Sequence, residues 1–189
     1  MKWPVLATTL LKRKFRWWLS RWADWFLNRY LKALIASGFK LPAQGSSVLL
    51  SIGGYDAKKD FRVSALMLAK LGFKLYATHN TADYVINTTS NNSVVVTELS
   101  NADILKRVAD KQISLVINVT ERNKMRDPFA EKTSFGYRLR RLAVDLGIPV
   151  ITDIKAAKML VTALNLPTVL GSLPSEIVNP SVDCFTKFG

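Results

Sequence analysis

The 189-residue sequence predicts an α/β domain: a doubly wound, five-stranded, mainly parallel sheet with helices on both faces, preceded by a basic aromatic helix. Three observations predict it. Between residues 47 and 165 short apolar runs alternate with amphipathic helical stretches, the pattern of parallel strands joined by helical crossovers. The junctions after the apolar runs are rich in Gly, Ser, Thr and Asn, as turns are. The charge is also uneven: residues 1–40 hold nine Lys/Arg against Asp24 alone, whereas residues 41–189 hold eighteen basic and thirteen acidic side chains.

Residues 1–27 read as a basic, Trp-rich helical extension. All five tryptophans fall in the first 25 positions, and Phe15, Trp18, Trp22, Trp25 and Phe26 recur near a spacing of three or four. Charges interrupt every apolar run, so neither a spanning helix nor a secretory signal fits. An interfacial membrane contact through residues 8–27, a mitochondrial presequence and a helix packed on this or a neighbouring domain all remain compatible with the pattern. Residues 28–45 read as a connector helix and linker, ending in Gly38, Pro42 and Gly45.

The α/β unit is expected over 46–166. SVLLSI (47–52) is a buried strand, turning at Gly53-Gly54 into the helix KKDFRVSALMLAKLG, with Phe61, Ala65, Leu68 and Leu71 on one face. FKLYAT (73–78) is the second strand, and HNTADYVI (79–86) reads as loop and short helix. After the turn-rich NTTSNNS comes the third strand, VVVTEL (94–99), then NADILKRVADKQ, a helix with an Asn cap. SLVINVT (114–120) is the fourth strand, ERNKMRDPFAEKTS a charged loop, and FGYRLRRLAVDLG a helix stopped by Gly147. IPVITDI is the fifth strand, KAAKMLVTALN the closing helix, and 167–189 an irregular tail.

Composition narrows the chemistry. The net charge of +13 favours anionic partners without naming them. A single cysteine, Cys184, and a single histidine, His79, exclude a disulfide framework and a thiolate cluster and argue against a His-based metal site. The cysteine count suits a reducing, cytoplasmic compartment. Neither GxGxxG nor GxxxxGK[ST] occurs, no nucleophile elbow appears, and no catalytic residue is expected. Nucleic acid is not an expected partner, because 41–189 has no basic stripe interleaved with aromatics.

Doubly wound sheets bind ligands outside the carboxyl ends of their strands. Those ends carry Ser51-Ile52-Gly53-Gly54, Thr78-His79-Asn80-Thr81 and Asn118-Val119-Thr120, whose hydroxyls and amides suit a phosphate. His79 is either a ligand contact or an ordinary polar loop residue. In the cluster Arg138, Arg140, Arg141, the first and last share a helix face and Arg140 turns toward Tyr137. One of them could reach a phosphate, or all three form a solvated face.

SVLLSIGGYDAKKDF, GFKLYATHNTADY, LVINVT and GYRLRRLAVDLGIPVITDIKAAKMLVTAL, in this order, resemble the methylglyoxal-synthase-like regulatory domain of carbamoyl-phosphate synthetase. RYLKALIASGFKLP resembles the helix that ends the synthetase region before that domain. SVDCFT resembles the linker into dihydroorotase in eukaryotic multifunctional pyrimidine proteins. The resemblance spans about 28–186 and implies an internal slice of a large enzyme.

It further implies an allosteric, non-catalytic domain that binds UMP or UTP, or phosphoribosyl pyrophosphate, and biases distant synthetase domains, with oligomerisation left open. Carried over, Ser51 and Lys58 would meet phosphate, Thr78 and Thr81 would cradle it, and Asn118 and Thr120 would contact nucleotide. His79 and Arg140 complete the expected effector site, and no cofactor or metal is implied. The sequence departs from the family at VVVTELSNAD, which lacks the usual longer basic loop, and at VINTTSNNSV. The Gly-Asp-Gln-type segment and His-Asp pair of true methylglyoxal synthases are absent. The alternative is a degenerate α/β domain whose basic helix docks on a membrane surface or a protein.

Overall fold

The computed structural model describes residues 24–88, 95–121 and 134–166. Helix α1 covers 24–36. There follow β1 (Ser47–Ile52), α2 (Tyr55–Lys70), β2 (Lys74–Thr78), α3 (His79–Thr88) and β3 (Val96–Leu99). The chain continues with α4 (Asn101–Ala109), β4 (Leu115–Val119), α5 (Phe135–Asp145), β5 (Val150–Ile151) and α6 (Ile154–Leu164). The strands lie in the order β3-β2-β1-β4-β5, and every pairing is parallel. The sheet therefore reverses its direction of travel between β1 and β4, the switch point at which such sheets open a crevice.

Both faces of the sheet are covered, which is why its central strands are apolar without alternation. Val48, Leu49 and Leu50 of β1 are all fully buried. On one face, Val48, Leu50, Ile117 and Leu75 pack with Phe61, Ala65 and Leu68 of α2, Ala82 and Val85 of α3, and Leu160 and Val161 of α6. On the other, Leu49 and Val116 pack with Ile104 and Val108 of α4 and Leu139 and Ala143 of α5. Helix α1 joins the first face through buried Leu31, and the Tyr30 hydroxyl donates to the Ala156 carbonyl at 3.4 Å. Burial of that phenol, with a smaller contribution from Asp153, raises its pKa.

Several boundaries differ from those expected. Residues 79–86 are not a loop and short helix: α3 starts at His79 directly after β2 and runs to Thr88. The fifth strand shrinks from IPVITDI to two residues, because Asp153 caps α6 by accepting from the amides of Lys155 and Ala156 at 2.9 Å each. The cap of α4 is Ser100, whose hydroxyl accepts from the Asp103 amide at 3.1 Å, and Asn101 is the first helical residue. Helix α2 begins three residues before KKDF, at Tyr55.

The aromatic stripe at Phe15, Trp18 and Trp22, the tail at 167–189 and most of the turn-rich and charged loops lie outside the described residues. Helix α1 passes through residues 27 and 28 without a break. No helix among the described residues is long and apolar enough to cross a membrane.

Candidate functional site

The strands β1, β2 and β4 end together, and their ends form the floor of an open pocket of about 740 Å³. Ser51 and Asn118 are paired in register across β1 and β4, so their side chains emerge at one level. Beyond them β1 and β4 stay close: the Gly53 amide donates to the Val119 carbonyl at 2.8 Å. A Cβ at Gly53 would stand 3.0 Å from the Glu121 amide nitrogen and 3.3 Å from the Val119 carbonyl oxygen, a close approach that favours glycine. Gly54 caps α2 with φ +79°, a conformation that also favours glycine.

Of the eight expected effector residues, five line this pocket: Ser51, Lys58, Thr78, Asn118 and Thr120. Lys58 comes from the first turn of α2, and Thr120 is the exposed residue just past the end of β4. Asn118 is almost fully buried, and its Oδ1 accepts a 2.6 Å hydrogen bond from Arg140 Nη1. Arg140 thus turns to Asn118 rather than toward Tyr137, and it acts beneath the pocket wall. It orients the carboxamide so that the Nδ2 donors face elsewhere than the guanidinium. A side chain at Gly136 would come within 3.4 Å of both Arg140 Nη1 and Asn118 Oδ1, so the start of α5 lies directly over the pair. Arg141, by contrast, is exposed. The neighbouring Tyr137 hydroxyl and Asp145, 3.7 Å away, raise its pKa.

Thr81 and His79 have other employment. Buried Thr81 accepts from the Ile52 amide at 3.1 Å and donates to the Ile52 carbonyl at 3.3 Å, tying α3 to the end of β1. Its Oγ1 also lies 3.1 Å from Thr78 Oγ1, where either hydroxyl can be the donor. A hydroxyl has one proton, so Thr78 is free to donate to a pocket acceptor only when the Thr81 proton turns from the Ile52 carbonyl to Thr78 Oγ1. His79 is exposed outside the pocket, with Nδ1 2.6 Å from Glu98 Oε1 and Nε2 3.4 Å from Asp83 Oδ2. The hydrogen bond to Glu98 and the charges of Asp83 and Glu98 raise the imidazole pKa above 6.5.

The pocket also contains residues that sequence reasoning missed. Asp83, Tyr84 and Asn87 line it from the same face of α3 as Asn80 of the expected strand-end run, at helical spacing that becomes legible only once the helix starts at His79. Asn101 lies just past the end of β3, where the strand-end rule itself points. Tyr55, Glu121 and Phe135 complete the rim, and nothing in the sequence marked them. A second cleft of about 440 Å³ opens toward the start of α6, at Asp153, Ile154 and Lys155. Gly53, Gly54 and Glu121 line both clefts and divide them.

A family model described as MGS-like domain matches residues 63–152, from the middle of α2 to just past β5. The chain carries an MGS-like domain. The chain is 41% identical over 157 residues to Multifunctional protein pyr1-3 of Dictyostelium discoideum, covering 79% of this chain and 7% of that protein. It is 37% identical over 142 residues to "Carbamoyl phosphate synthase large chain, C-terminal section" of Methanocaldococcus jannaschii, covering 74% of this chain and 21% of that one. The chain thus spans a small fraction of the relatives it matches. A solved methylglyoxal synthase from Elizabethkingia anophelis aligns with TM-score 0.47 and 18% identity, over 66% of this chain and 80% of that chain. In this MGS-like domain the pocket at the β1/β4 switch point is lined by residues within the matched range and by the end of β1, the β1–α2 turn and the start of α2, which precede it.

Proposed function

We propose that this chain is an allosteric regulatory module of a cytoplasmic carbamoyl-phosphate synthetase in de novo pyrimidine biosynthesis. It senses UMP, UTP or phosphoribosyl pyrophosphate and performs no catalysis itself. The single observation that carries the reading is the open switch-point pocket, where Ser51, Lys58, Thr78, Asn118 and Thr120 converge. One ammonium, several hydroxyls and a carboxamide offer charge-assisted and neutral hydrogen bonds to an anionic oxygen. The relatives named as multifunctional proteins and as a carbamoyl phosphate synthase large chain support the assignment of synthetase domains as partners. Regulation then requires that the effector bind two states of the larger assembly unequally, since a ligand shifts an equilibrium only by its differential affinity.

Titration calorimetry of the chain with UMP, UTP and phosphoribosyl pyrophosphate tests the reading. At least one is expected to bind, and Thr78→Ala is expected to weaken that binding by about 1–3 kcal/mol through loss of a hydroxyl bond to phosphate. Absence of heat with all three at millimolar concentration would remove the sensing role.

A second reading draws on α1. Trp25 and Phe26 are about half exposed, and the Arg29 guanidinium lies 4.5 Å over the Trp25 ring. Such a surface suits an anionic membrane or an acidic protein. Co-sedimentation with anionic vesicles, with and without residues 1–27, separates it from the first reading.

A further inference from the structure

His79 carries chemistry that the pocket does not use. A single histidine counts against a site built from several imidazoles, but an ion can take its other ligands from carboxylates and water. Two features of the fold bring carboxylates to it. Helix α3 starts at His79, so Asp83 lies one turn further along the same face. The parallel register sets Glu98 of β3 opposite Ala77 of β2, two residues before His79. The ligating atoms of His79, Asp83 and Glu98 lie within 4.8 Å of one another, and all three residues are exposed.

The two ring nitrogens differ in their surroundings. Nδ1 is 2.6 Å from Glu98 Oε1, and a carboxylate only accepts, so Nδ1 carries the proton of that bond. Nε2 faces Asp83 Oδ2 at 3.4 Å, long for a hydrogen bond. Two ligands held about 2.1 Å from one tetrahedral ion stand about 3.4 Å apart, so a dication bridges this gap without moving either group. With Nδ1–H given to a carboxylate, the neutral ring presents its lone pair at Nε2 and is the more basic ligand for that contact. The positive end of α3 opposes a cation here, but it amounts to roughly half a charge against two whole carboxylates.

We propose that His79 and Asp83 chelate a transition-metal dication of the zinc type, with Glu98 as the positioning residue that holds the ring. The imidazole selects such an ion over Mg²⁺ or Ca²⁺, which prefer oxygen ligands alone. Water completes the coordination at this open surface. Asp83 also lines the pocket, so the ion offsets one carboxylate of the pocket wall.

The test is titration of the full chain with ZnCl₂, in a Cys184→Ser background so that the lone thiol takes no part, with MgCl₂ as the control. One histidine makes the readout unambiguous. Zinc is expected to move the Nε2 resonance in ¹H–¹⁵N spectra of the ring while Nδ1 stays protonated, and magnesium is expected to leave both unchanged. Glu98→Ala is expected to weaken zinc binding about 10–100-fold, and Asp83→Asn at least as much. Glu98→Gln, whose carbonyl still accepts from Nδ1–H, is expected to recover part of that loss. An Nε2 resonance unmoved at millimolar zinc, an equal response to magnesium, or unaltered affinity in Asp83→Asn overturns the site. Equal loss in Glu98→Gln and Glu98→Ala overturns the positioning role of Glu98. The sensing role proposed above stands or falls separately.

Discussion

The sequence points Thr81 at a phosphate, and the fold sets it against the end of β1. At a strand's carboxyl end a threonine is a natural phosphate contact, and its companion Thr78 does face the pocket. Thr81, one helical turn further on, is buried and closes both backbone groups of Ile52. Thr81→Val is isosteric but strands the Ile52 amide, so it should destabilise the fold by about 1–3 kcal/mol, seen as a lower urea midpoint. A residue that served a ligand alone would leave the midpoint of the unliganded protein unchanged. Ser51, Thr78, Asn118 and Thr120 were legible from strand ends because parallel register brings such ends to one edge. Tyr55 and Glu121 were not, because their place on the rim depends on how α2 and the turn after β4 are set by Gly53 and Gly54. Arg140 was legible as a candidate, but its partner Asn118 lies 22 residues away and only the fold brings them together.

At the scale of elements, the helices were predictable and their starts were not. α4 offers two adjacent capping residues, Ser100 and Asn101, and sequence has no means to choose between them. The choice falls to the one whose oxygen meets the Asp103 amide. β5 is cut short because Asp153 is taken by α6. α3 begins with no glycine or proline to announce it, and its first residue ties it to the neighbouring strand: His79 reaches Glu98 on β3 and Asp83 within α3. Those carboxylates raise the folded-state pKa of the imidazole above its unfolded value of 6.5. The protonated form is thereby favoured by folding, so the contribution is fully present below about pH 6.5 and is lost as pH rises through the raised pKa. Chemical denaturation of wild type and His79→Gln at a series of pH values should show their difference shrinking from acid toward pH 8. The opposite slope, or a difference independent of pH, would show that the imidazole is not held by its two carboxylates. The exposure of all three groups keeps the effect modest and sensitive to salt.

For the molecule as a whole, the alternation of apolar runs and amphipathic helices was enough to specify the layers, since an uninterrupted apolar strand must be covered on both sides. Which helix goes to which face was not legible, because that is fixed by right-handed crossovers taken in the order the strands are laid down. The result places α2, α3 and α6 on one core and α4 and α5 on the other, with the pocket at the edge where both meet. A ligand held there bridges elements from both layers and should stabilise the domain as a unit. At one hundred times its dissociation constant, an effector adds about 2.7 kcal/mol, or a rise of roughly 5–10 °C in Tm for a chain of this size. Scanning calorimetry with UMP would register it. An unchanged Tm at concentrations that saturate binding would mean that the ligand occupies the unfolded chain equally.

The seat of α1 has a mechanical consequence. Leu31 is plugged into the same core as α6, and Tyr30 is latched to the Ala156 carbonyl two residues into that helix. Close-packed interiors do not stretch, so a pull from upstream must either unplug that leucine or drag α6 along. The end of α6 that would travel is the one that walls the second cleft, on the far side of Gly53 and Gly54 from the pocket.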